Sequence, residues 1–175
     1  MNENEWLQDF LKVDFNSPAL TEIENVKNFA LLWNLFERYF CNKFATLNKI
    51  QTNIKQLNKY NYSFPENIYN ECYAYYKTRY LTDEKTNELF ENLFLGRDER
   101  HKQILKSTLE NPDSIMKEKI LACLIIIYRL RNNLFHGSKN IARLNYQNEN
   151  FKIANQVIMS FLSFLKSNNK LIELS

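Results

Sequence analysis

Along the first third of the chain apolar residues recur every seven positions: Val26, Trp33, Phe40, Leu47 and Ile54. A second series, Phe29, Phe36, Ile50 and Leu57, runs three positions behind, with Lys43 as its one polar interruption. Together the two series make an apolar stripe at helical spacing. The pattern predicts a long amphipathic helix opened by the cap Ser17-Pro18 and broken near Asn48. Asn61 to Phe64 reads as a turn, and Pro65 opens a second helix through about Tyr80. Thr82 is expected to cap a third, with Asp83 and Glu84 in its first turn and Gly96 as the residue that ends it. Asp98 starts a shorter helix that Asn111-Pro112 stops. Asp113 or Ser114 restarts the chain into a helix to about Phe135, ended by Gly137. Its middle, Leu121 and Cys123 to Ile127, is apolar on every side, so it should be the most buried element. From about Glu149, Ala154, Val157, Ile158, Phe161, Leu162 and Leu165 mark the last helix.

Composition narrows the fold to one class. The 175 residues include 2 Gly and 3 Pro, too few for the turns of a sandwich or barrel or for a glycine-rich nucleotide loop. Hydrophobic residues at 45% and aromatics at 14% exclude disorder. The expectation is an all-α, single-domain bundle of five to six helices over residues 1–175. The longest apolar run, Ile120 to Tyr128, is shorter than the roughly 20 residues that span a bilayer. The N-terminal residues lack a basic segment followed by an apolar one, so a cytoplasmic protein without a membrane partner is expected. Cys41, Cys72 and Cys123 each lie in an apolar helical stretch with no CxxC spacing, which reads as buried, reduced thiols.

Net charge is only +3, yet it is unevenly placed. Residues 1–25 carry Glu3, Glu5, Asp9, Asp14, Glu22 and Glu24 against Lys12 alone. Residues 116–143 carry Lys117, Lys119, Arg129, Arg131, Lys139 and Arg143 against Glu118. The chain has no HExxH, GxSxG or DxD motif, and neither a metal nor a cofactor is expected. Of its two histidines, His101 follows Arg97-Asp98-Glu99-Arg100 and is expected on the surface. His136 stands where the most buried helix runs into the basic region. One reading is architectural, because arginines and a histidine in a last turn favour the negative end of the helix dipole.

The second reading starts from the run Arg131-Asn132-Asn133-Leu134-Phe135-His136-Gly137. It resembles the Arg-x4–6-His signature of the HEPN superfamily (higher eukaryotes and prokaryotes nucleotide-binding). In that family a polar residue commonly follows the arginine and apolar residues precede the histidine. The aromatic-rich stretch Asn28 to Glu37 also resembles the family's upstream helix. The resemblance implies an all-α fold with the motif at the end of a core helix and a further helix after it. It implies RNA as substrate, His136 and Arg131 as catalytic residues, and a cleft shared by two protomers. Asn132, Arg129, Lys139 and Arg143 are the accompanying candidates for binding RNA phosphate. Arg129 also stands at x6 from His136; Arg131 is favoured because Asn132 follows it. Toxin members with a nucleotidyltransferase antitoxin often carry tyrosine two residues after the histidine, where this chain has Ser138.

The residue chemistry agrees with that function. Metal-independent RNA cleavage must deprotonate a 2′-hydroxyl, stabilise the charge on phosphorus and protonate the 5′-oxygen. A histidine, with an ordinary pKa near 6.5, moves protons at neutral pH. An arginine presents a permanently charged fork matched to phosphate oxygens. On a continuous helix residues five apart point about 140° apart, so one chain converges Arg131 and His136 poorly and a homodimer solves the geometry. The leading expectation is an endoribonuclease acting as a toxin or phage-defence effector, with an antitoxin or regulatory partner in view. The alternatives are a catalytically idle HEPN domain that binds nucleotide or protein, and a helical adaptor. Glu37 could face the cleft, although a solvated helix charge fits it better.

Overall fold

Seven helices and one short hairpin make up the residues that the computed structural model describes, 19–57, 64–95, 98–135 and 147–170. In chain order they are α1 (Ala19–Phe40), α2 (Leu47–Leu57), α3 (Glu66–Tyr80), β1 (Leu81–Thr82), β2 (Lys85–Thr86), α4 (Glu88–Phe94), α5 (Glu99–Glu110), α6 (Met116–Phe135) and α7 (Asn148–Ser167). The fold is all-α. Ser17, Pro18, Gly96 and Gly137 lie outside the described residues.

The helix with apolar residues all round is the hub. Ile120, Ala122 to Ile127 and Leu130 of α6 are buried, and α2, α3, α4, α5 and α7 all pack on it. α1 lies along α7, and the aromatic seam explains why. Phe29 meets Phe151 at 5.0 Å between ring centroids, and Phe40 meets Phe161 edge-on at 4.8 Å. Phe64 stacks on Phe164 at 4.2 Å just before α3 begins. Burial of one such ring is worth about 1.5–3 kcal/mol. A polar joint fixes the start of α7: Asn25 Nδ2 donates to Asn148 Oδ1 at 2.7 Å, and Asn155 Nδ2 donates to the Asn25 carbonyl at 3.0 Å.

The seven-residue series runs through an interruption of the helix. Phe40 closes α1 and Leu47 opens α2, both buried, but 41–46 is a turn with Asn42 and Lys43 in the left-handed region. Glu37 holds that turn. Its carbonyl accepts from the Cys41 and Lys43 amides at 3.2 and 3.0 Å, and its carboxylate accepts from the Ala45 amide at 3.1 Å. Thr46 then caps α2, its hydroxyl accepting from the Lys49 amide at 3.2 Å.

The expected start of the third helix is a correction. Asp83 and Glu84 form the two-residue turn of the β1–β2 hairpin, both with positive φ, where Leu81 pairs with Thr86 and Thr82 with Lys85. Asn87 caps α4 instead, its side chain accepting from the Phe90 amide at 3.2 Å. The left-handed residue that ends α4 is Leu95, one position before Gly96. Ser114 does not cap α6; its hydroxyl donates to the Thr108 carbonyl at 2.8 Å, at the end of α5. The three cysteines are free and buried, as expected. Burial pushes the Cys72 thiol up to about 11 and the Cys41 thiol to about 12, so neither is a nucleophile at neutral pH.

Candidate functional site

The last two turns of α6 carry Arg129, Arg131, Asn132 and Asn133, and the helix sorts them by direction. Arg129 and Arg131 are two positions apart, about 200° around the axis, so they leave on nearly opposite sides. Arg129 turns inward and is 5% exposed. Its Nε donates to the Leu93 carbonyl at 3.2 Å and one terminal nitrogen donates to the Phe94 carbonyl at 2.9 Å. Asn133, one turn on, donates to the same Leu93 carbonyl at 3.1 Å. These are carbonyls that the short α4 leaves without intrahelical partners, and Arg129 and Asn133 supply the donors. The Arg129 guanidinium also lies 5.2 Å from the Phe94 ring centroid. Arg129, expected as a phosphate-binding residue, is here buried and clasps α4 to α6 through the two bonds to these carbonyls.

Arg131 leaves toward α1. Its Cζ stands 5.9 Å from the centre of the Trp33 ring, and one terminal nitrogen donates to Asn132 Oδ1 at 3.2 Å. Arg131 and Asn132 are half-buried, so both reach the surface at the end of the core helix. The fold thus brings together Arg131, Asn132 and the aromatic seam of α1. It separates Arg129 from them.

His136, Lys139 and Arg143 lie outside the described residues. The helix is unbroken through Phe135, so no bend between residues 131 and 135 folds the motif back on itself. Glu37 does not join the group, since its carboxylate holds the α1–α2 turn.

His101, expected on the surface, is a correction. It is 3% exposed, with Nδ1 2.7 Å from Asp98 Oδ1. Asp98 is the cap of α5 and also accepts from the His101 amide at 3.4 Å. The other ring nitrogen, Nε2, is buried with no hydrogen-bond partner among the described residues. Leu105 and Leu109, four and eight positions on, are fully buried on the same face. That spacing was the available signal that His101 points inward, hidden by its charged neighbours. Asn133 was missed for a comparable reason, although its i, i+4 relation to Arg129 was visible in the sequence. The contact between Trp33 and Arg131 had no signal in the sequence, because it joins positions almost a hundred residues apart.

No helix among the described residues is long and apolar enough to cross a membrane. Among the same residues no group of three or more His, Cys, Asp or Glu could hold a metal ion. No family model, curated protein or solved structure matches the chain.

Proposed function

We propose that the protein is a metal-independent endoribonuclease of the HEPN kind, serving as a toxin or phage-defence effector. The observation that carries this reading is the run from Arg131 to His136 at the end of the most buried helix, with Arg131 and Asn132 turned away from the α4 joint. His136 takes the 2′-hydroxyl proton or returns one to the 5′-oxygen. The O2′–P bond forms as the P–O5′ bond breaks, leaving a cyclic 2′,3′-phosphate and a 5′-hydroxyl. Arg131 neutralises the charge that builds on the phosphoryl oxygens, and Asn132 orients Arg131 through the hydrogen bond they share. The unbroken helix through Phe135 favours a cleft that pairs Arg131 of one protomer with His136 of a second copy. Lys139 and Arg143 add positive charge along the path of the RNA.

End-group analysis tests the chemistry. RNA incubated with the protein in excess EDTA is expected to yield cyclic 2′,3′-phosphate ends at the rate seen with magnesium, and the matching DNA to stay intact. Cleavage abolished by EDTA and restored by magnesium, or DNA cut at a comparable rate, refutes the reading.

A further inference from the structure

We infer that Trp33 is a positioning residue for Arg131, its indole face holding the guanidinium in the place where it meets the RNA phosphate. The inference rests on the nuclease reading above and adds a residue to that site. The guanidinium is held by the Trp33 ring at 5.9 Å and by the Asn132 oxygen at 3.2 Å, among its contacts. Trp33 is itself immobilised. It is 3% exposed and packs on Phe36 at 5.2 Å, on Tyr128 at 6.0 Å and on Phe29 at 6.4 Å between centroids. Tyr128 and Arg131 are three apart on α6, so the ring lies along the strip joining them. α1, which carries Trp33, is tied in turn to α7 through Asn25.

The residue type matters as much as the contact. The Trp33 indole N–H is buried without a hydrogen-bond partner among the described residues. A phenyl ring would fill an apolar seam without stranding a donor, which is costly. What the indole supplies is the strongest π face among the side chains. A π face attracts the charge of a guanidinium without competing for its N–H donors. Holding a long side chain in place before the substrate arrives also spares the cost of ordering it afterwards.

The test combines kinetics with a direct view of the arginine. Trp33→Phe and Trp33→Leu are made in the wild-type and Arg131→Ala backgrounds, and cleavage of a single-stranded RNA is followed. In parallel, nitrogen-15 relaxation of the Arg131 Nε–Hε group reports how firmly the side chain is held. Trp33→Phe is expected to melt close to wild type and to lose about tenfold in kcat with KM little changed, the effect of one weakened cation–π contact. It should lose nothing further once Arg131 is alanine, and Arg131 should be more mobile in both Trp33 variants. Equal losses in the two backgrounds overturn the inference, as does an Arg131 side chain that stays as ordered in Trp33→Leu as in wild type. Should Trp33→Leu fail to fold, Trp33→Phe carries both readouts. Should the wild type cleave no RNA, the nuclease reading fails by itself. The relaxation of Arg131 then still decides whether Trp33 holds it.

Discussion

Removing the Arg129 side chain would strand the Phe94 carbonyl in the closed joint between α4 and α6 and leave the Leu93 carbonyl to Asn133. Arg129→Ala is therefore expected to cost about 1–3 kcal/mol for the unsatisfied group, with cleavage falling only as far as the folded fraction does. Arg131→Ala should show the reverse, near-normal melting with weakened RNA binding and a shallower salt dependence. Thermal melting and RNA cleavage on the same two proteins check both. The sequence could not separate these arginines, because each stands at a permitted spacing from His136 and what distinguishes them is the partner each faces. Arg129 meets the end of a helix nearly forty residues earlier, and Arg131 meets Trp33 almost a hundred residues earlier. His101 shows the same limit from the other side: charged neighbours suggested solvent, while the leucines at i+4 and i+8 already marked its face as inward.

Elements were more legible than contacts. The buried middle of α6, the last helix and the stop at Asn111 all follow from apolar spacing and turn residues, and they stand as expected. The α1–α2 break fell at 41–46 rather than near Asn48, since a seven-residue repeat records which positions face the core and not whether the backbone between them is helical. The hairpin was missed because Thr82-Asp83-Glu84 is also good helix-start chemistry, and the choice was made by Asn87, whose side-chain Nδ2 donates to the Arg79 carbonyl at 3.0 Å and whose side-chain oxygen caps α4. Leu95 ends α4 with φ of 50°, a conformation in which its Cβ is crowded. It is also half in solvent, so little packing depends on it. Leu95→Gly is expected to stabilise the protein by about 0.5–1 kcal/mol. A rise in melting temperature of about 1–4 °C in differential scanning calorimetry checks this, and a lower one contradicts it.

At the largest scale, the proposal has a second copy of the chain complete the site. Within one chain the helix that carries Arg131 is unbroken to Phe135, and closed twofold symmetry is the commonest way for identical chains to share a cleft. Light scattering at micromolar concentration is expected to give twice the 21.1 kDa of one chain; a monomer with full activity contradicts the shared cleft. On this proposal His136 moves protons in RNA cleavage rather than capping a helix. The direct measurement is the cleavage rate of His136→Ala beside its melting curve. A catalytic His136 predicts a loss of about 10²-fold or more at an unchanged melting temperature. Unchanged cleavage by His136→Ala, or a loss that only follows the folded fraction, contradicts it.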